Sequence, residues 1–211
     1  MKIAQPEAWW DRLFAPSSAL AIITTVDPEG RVNAASFGTC TRVGHNPVDI
    51  AFTCRPAKDT SRNLLATGEF VVNLPPFEKD VLEAVRVAGL PFSPGVNELE
   101  KAGLHALPSL VLKPPRIAEC TRHFECRLEW SHEWSDRVMF VGRVVAASTD
   151  DDCVDAEGYV RWENARSAHF AGASYNYFVA AYDVMKVRQP YEGPEVEAYD
   201  AFEKQMYEQP S

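Results

Sequence analysis

The chain is short of most features that mark the specialised protein classes. Basic residues are outnumbered: 21 Lys and Arg stand against 30 Asp and Glu, for a formal net charge of −9. Nucleic acid and anionic membranes both select a basic face, so this balance argues against either as the main partner. Long apolar runs are also missing. The longest, such as ALAII and VVAA, fall far short of the roughly 20 residues that span a bilayer as a helix. The opening MKIAQPEAWWDRLF holds no long apolar core and no small-residue cleavage site, which predicts no secretory leader. Cysteine is sparse and odd in number: Cys40, Cys54, Cys120, Cys126 and Cys153, with no C-x-x-C pair. That usage predicts reduced thiols and a cytoplasmic location. There is no internal repeat, no low-complexity segment and no obvious catalytic triad.

What is present reads as an ordered chain rich in strands. Its 211 residues, 46% apolar, are enough for a sizeable core. Trp9, Trp10, Leu13 and Phe14 have near-helical spacing and predict a short helix over 8–14, packed on the end of the main domain. ALAIITTVD (19–27) predicts a buried strand, DPEG (27–30) a turn, and RVNAASF (31–37) a second strand. Further strands are expected at VDIAFTC (48–54) and EFVVNL (69–74). Two longer ones are expected at 117–130 and 136–149, with SHEWS as the turn between them. Helices are expected over 58–68 and 77–89, each closed by glycine. Residues 17–188 then form one domain, followed by an acidic tail over 189–211. Consecutive antiparallel strands with peripheral helices predict a mainly β fold, a closed or partly closed barrel.

The most informative stretch is FTCRPAKDTSRNL (52–64), where a strand gives way to a helix. A helix start carries free N–H groups and partial positive charge, and so suits phosphate. Arg55 and Lys58 add full charge, and Thr60 and Ser61 add hydroxyls. An ordinary capped helix, with Asp59 or Thr60 as the cap and solvated charges, satisfies the same residues. The second stretch is NAASFGTCT (33–41), whose small residues at a strand end let a flat ligand approach the backbone.

In order along the chain, ALAIITTVDPEGRVNAASFG, NPVDIAF and KDTSRNLLATGEFVVNL resemble the flavin reductase-like family. SPGVNELEKAGL, KPPRIAEC, FECRL and VMFVGRVVAA continue the resemblance, which runs from about residue 15 to 180. It implies a Greek-key-like FMN-binding split β-barrel with a few outer helices, usually a homodimer. It also implies an NAD(P)H-dependent flavin reductase that moves hydride from nicotinamide to flavin and supplies a monooxygenase or other acceptor protein. The alternatives are a flavoredoxin-like FMN carrier, a non-catalytic flavin-binding protein, and a haem- or pyridoxal-phosphate-related split barrel. FMN is the expected cofactor, and nothing in the residues excludes FAD. By resemblance, a loop of Ser36, Phe37, Gly38, Thr39 and Cys40 wraps the flavin. Lys58, Asp59 and Thr60 take its phosphate, flanked by Arg55 and Asn63. Ala171, Gly172 and Tyr175 match a late glycine element, and His169, Phe170 or Tyr175 would face the nicotinamide. The chain departs from many relatives at Gly38 (commonly aromatic), Pro47-Val48 (commonly Pro-Pro) and Ala171-Gly172 (commonly a glycine pair).

Other clusters read as structural. In CTRHFEC, strand alternation would put Cys120 and Cys126 on one side and His123 on the other, so no metal site is expected. STDDDC (148–153) lacks the spacing of a calcium loop and reads as a solvated turn.

Overall fold

A computed structural model describes residues 4–7, 13, 18–171, 178–180, 185, 194, 196–199 and 201. Most of the expected 8–14 helix and 189–211 tail, with Trp9, Trp10, Gly172 and Tyr175, lie outside the described residues.

Six strands close into a barrel: β1 (Ala19–Val26), β2 (Val32–His45), β3 (Val48–Cys54), β4 (Glu69–Leu74), β7 (Arg122–Trp134) and β8 (Arg137–Thr149). Their order is β1-β2-β3-β8-β7-β4, and every pairing is antiparallel. β1, β2 and β3 follow as a meander, and β4 returns beside β1. That arrangement is a Greek key, which the β7–β8 hairpin closes. Outside it lie the helices α1 (Asp59–Thr67), α2 (Lys79–Ala88) and α3 (Glu98–Ala102). The two-residue strands β5 (Ala106–Leu107) and β6 (Arg116–Ile117) pair with each other, as do β9 (Ala168–Phe170) and β10 (Phe178–Ala180). No helix among the described residues is long and apolar enough to cross a membrane.

β1 explains why its sequence is apolar throughout and not alternating. Ala21 and Ile23 point into the barrel beside Phe52, Phe70 and Phe140. Leu20 and Ile22 point outward into a second core with Leu82 and Val85 of α2 and Leu99 of α3. A strand buried on both faces has no polar side to show.

Several boundaries differ from the sequence reading, each for a local reason. β2 does not end at Phe37. It runs on to His45, with a bulge opposite Ala19–Ala21, so the expected flavin loop of residues 36–40 is strand. β7 likewise continues through SHEWS to Trp134, and the reversal falls at Ser135, whose φ is +52°. The long apolar segment expected from 117 enters the barrel only at Arg122. Cys120 therefore sits in the outer core and Cys126 in the barrel, not on one shared face. Glu125 of β7 is 1% exposed, and its carboxylate accepts the backbone N–H groups of Leu110, Val111 and Leu112 at 2.5, 2.9 and 3.0 Å. Three backbone donors satisfy the buried charge and tie that segment to the barrel wall.

Candidate flavin-phosphate and ring sites

The barrel brings both suspected stretches onto neighbouring elements. α1 follows β3 through a turn in which Lys58 N–H bonds Arg55 O at 3.1 Å. Lys58 occupies the N-cap position with extended backbone and makes no side-chain cap. Neither Asp59 nor Thr60 caps, because both already lie inside the helix. The first-turn N–H groups therefore have no partner within the helix and none from a cap. At the other end Gly68, at φ +70°, returns its N–H to Leu64 O.

The two hydroxyls of the first turn face inward. Ser61 Oγ donates to Arg55 O at 2.8 Å. Thr60, 1% exposed, accepts a bond from Asn33 Nδ2 at 3.1 Å. Asn33 also donates to Thr25 Oγ1 at 3.1 Å, as does Asn63 at 3.1 Å. Thr25, Asn33, Thr60 and Asn63 form one buried polar network across β1, β2 and α1. Buried polar groups that are mutually satisfied fix a single geometry, and this network fixes the helix start on the barrel. Thr25 was not among the residues expected from the sequence. Its position in an apolar strand reads as β-branched filler, and only the fold shows its partners.

The outward-facing donors are then the N–H groups of Asp59 and Thr60, with Lys58 and Arg55, since the Ser61 N–H is directed at the Cys54 thiol. Among the described residues no carboxylate lies within ion-pair distance of Lys58. Arg55 approaches Asp136 at 3.8 Å, both largely exposed, a pair of little strength. Asp59 is paired with Arg62, which also donates to Ala57 O at 2.5 Å, so the acidic residue of this turn is offset. This donor set fits a phosphate monoester: two helix-start N–H groups, one uncompensated ammonium and one weakly held guanidinium. Cys54 lies directly behind it. Burial raises its thiol pKa against the lowering effects of the Ser61 hydroxyl, the Arg55 N–H, the Lys58 charge and the Ser61 N–H.

At the ring end the side chains of 36–40 part company. Phe37 turns into the barrel, 5.0 Å from the Phe52 ring. Cys40 is buried there too, and desolvation pushes its thiol to about 12. That favours the neutral thiol over a reactive thiolate. Ser36 faces the end of α2, where its Oγ lies 2.6 Å from the place a side-chain carbon at Gly89 would take. Thr39 is exposed and accepts the Thr53 N–H at 3.2 Å. At Gly38 a Cβ would stand 2.4 Å from Phe170 Cδ2. Phe170 stacks in turn on Phe178, with centroids 5.3 Å apart. The missing side chain is thus the space the Phe170 ring occupies. Next to it, Ser18 Oγ donates to Gly38 O at 2.6 Å, and His169 Nδ1 donates to Ser18 O at 2.9 Å. These bonds couple β9 to β2.

The competing clusters resolve simply. His123 bonds Ile117 O at 2.9 Å, and Cys120 and Cys126 lie in different cores, so the three do not converge. Asp150, Asp152 and buried Cys153 bring ligand atoms within 4.8 Å of one another. Burial raises the pKa of both Asp150 and Cys153, and neighbouring carboxylates add to it.

Comparison with known proteins agrees with this fold. The flavin reductase like domain family matches residues 15–168. An uncharacterized protein of Aquifex aeolicus is 31% identical over 171 residues, 79% of this chain and 85% of that one. Among solved structures, the Pseudomonas fluorescens 2-nitrobenzoate 2-nitroreductase NbaA superposes with a TM-score of 0.77 at 24% identity, covering 92% of this chain and 98% of its own. Flavoredoxin of Desulfovibrio vulgaris (Miyazaki F) gives a TM-score of 0.72 at 19% identity, covering 81% and 90%. The family model covers most of the chain and the closed six-stranded barrel agrees with it; the chain belongs to the flavin reductase-like family.

Proposed function

We propose that the protein binds FMN and acts as an NAD(P)H-dependent flavin reductase. The observation that carries this is the open first turn of α1 beside uncompensated Lys58, in a chain of this family. Bound flavin supplies the redox chemistry, taking hydride from a reduced nicotinamide. The chain's own residues bind and orient. The N–H groups of Asp59 and Thr60, with Lys58 and Arg55, hold the phosphate. Thr60 and Asn63 act from behind by fixing the helix start. The Ser36–Cys40 segment of β2 offers backbone to the ring, and Phe37 and Cys40 support it from inside the barrel. His169 is the nicotinamide-side residue, oriented through Nδ1 by Ser18 O; Tyr175, its companion in this reading, lies outside the described residues. No side chain has to act as nucleophile or strong base. A homodimer in the cytoplasm, with a monooxygenase or other protein consuming the reduced flavin, completes the proposal.

A flavoredoxin-like carrier is the second reading, favoured by the likeness to flavoredoxin. Two measurements separate them. Flavin absorbance is followed first as FMN is titrated into the protein; no binding ends both readings. NADH or NADPH oxidation is then followed with FMN in excess. Sustained turnover supports the reductase, and a single stoichiometric reduction supports the carrier.

A further inference from the structure

Arg122, the first residue of β7, is a half-buried cation that the site described above does not use. Its Nη2 donates to Ser167 Oγ and, at 3.4 Å, to Ala165 O. Its Nε is buried without an acceptor, and Nη1 makes no hydrogen bond among the described residues. Its Cζ stands 5.8 Å from the centroid of the Trp162 ring. Among the described residues no carboxylate lies within ion-pair distance of it. Other arginines of the barrel are matched: Arg143 meets Asp49 at 2.8 Å and Arg127 meets Glu69 at 3.9 Å. In a chain with 30 acidic residues against 21 basic ones, the exception is not for want of anions.

Burial pushes the Arg122 pKa down, and the group that works against it is the Cys153 thiol. Burial and neighbouring carboxylates raise the pKa of that thiol in turn, so it brings no charge at neutral pH. A guanidinium taken out of water without a partner carries a desolvation cost, which an incoming anion offsets. The Trp162 ring holds the guanidinium from one face and leaves its edge donors for a carboxylate or phosphate.

The location points to the ring end of the flavin site. Ile22 pairs with Asn73, and the next residue, Leu74, pairs with Arg122, so β7 begins on the rim where β1 begins. Ser18 and Gly38 are joined on that rim. Ser167, which holds Nη2, stands two residues before His169, which bonds Ser18 O. Two extended residues span about 7 Å. The start of α1 lies at the other end of the barrel: Arg122 pairs with Thr149, the last residue of β8, whereas β3 runs into α1 from Cys54, beside Val138 at the beginning of β8.

We infer that Arg122 receives an oxyanion, carboxylate or phosphate, carried by the redox substrate whose reacting ring lies against the flavin at the Gly38 rim. The inference rests on the flavin reading. The oxyanion comes either with the nicotinamide donor, as its pyrophosphate, or with an organic acceptor, as its carboxylate.

The test compares wild type, Arg122→Gln and Arg122→Lys as full chains saturated with FMN, so that the start of α1 is already filled. Dissociation constants are measured by calorimetry for two pairs of unreactive probes. NAD+ is set beside nicotinamide riboside, which has no phosphate, and benzoate beside neutral benzamide. About tenfold weaker NAD+ binding in Arg122→Gln, with the riboside unchanged, supports the inference and assigns the oxyanion to the donor. About tenfold weaker benzoate binding, with benzamide unchanged, supports it and assigns the oxyanion to an acceptor. Arg122→Lys keeps the charge and should show a smaller loss in the same pair; it carries the comparison if Arg122→Gln does not fold. Wild-type affinities for all four probes in Arg122→Gln overturn the inference and leave the flavin reading intact. Equal weakening of the charged and neutral member of each pair, with a lower melting temperature, overturns it too, since Arg122 is then part of the frame. Failure of FMN to bind the wild type removes the flavin reading and this inference together.

Discussion

The two ends of the candidate site are built on different principles. The phosphate end is local and polar. Six consecutive residues, Arg55 to Thr60, carry its outward donors, and a buried network of four side chains holds them in place. The ring end is non-local and mostly apolar. Its central element is a glycine in β2 whose missing side chain is replaced by Phe170, 132 positions along the chain (170 − 38). One end is specified by what its residues can donate, the other by what a distant strand lays against them. Damage at the first should therefore appear in ligand discrimination, and damage at the second in stability and in the fit between strands.

The largest effect is expected from Lys58→Ala. FMN affinity should fall by roughly tenfold or more, the scale of a lost charge-assisted bond, and riboflavin affinity should hardly move. Equal losses for both, measured by fluorescence titration, would remove the distinction between the ends. Gly38→Ala should come next. Its Cβ meets the Phe170 ring at 2.4 Å, and overpacking of that kind costs about 1–3 kcal/mol. Urea melts of Gly38→Ala, Phe170→Leu and the double variant should show the smaller ring recovering much of that cost, a coupling of more than about 0.5 kcal/mol. Additive effects would mean that the two residues do not share the space. Asn33→Ala removes two buried hydrogen bonds and should cost about 1–2 kcal/mol, and should also weaken FMN although Asn33 does not face the phosphate. A stability loss with FMN affinity intact would show that the network does not position the helix start.

The smallest change lies outside both ends. Burial lowers the pKa of His123, so its neutral form is favoured in the folded state. That contribution is complete above the unfolded value of about 6.5 and is lost as pH falls from there through the folded value. A shallow decline in melting temperature over that range, absent in His123→Gln, is the expected result.

Much of the fold was legible because its signals are short-range. The β3 and β4 segments, VDIAFTC and EFVVNL, are bounded by turn residues and fall where expected. The helix ends at Gly68 and Gly89 follow from glycine after an amphipathic run. β2 was harder, since NAASFGTCT is small and polar for a strand. It continues because β1 pairs its first half and β3 its second, information that lies outside the stretch on both sides. β7 hid its length for a similar reason: SHEWS looks like a turn, yet each of its residues pairs with β8 or lies next to one that does. The candidate site divides the same way. Lys58 and Arg55 were readable from charge and position. The inward turn of Thr60, the role of Thr25 and the exchange of Gly38 for Phe170 were not, because each depends on a partner far along the chain.

The central claim is that α1 begins with an anion grip shaped for the phosphate of a flavin. The most direct measurement is the dissociation constant of the wild-type protein for FMN set beside that for riboflavin, which differ only by that phosphate. The account predicts FMN tighter by about tenfold or more, with the gap narrowing as salt rises. Equal affinities at low salt would contradict it.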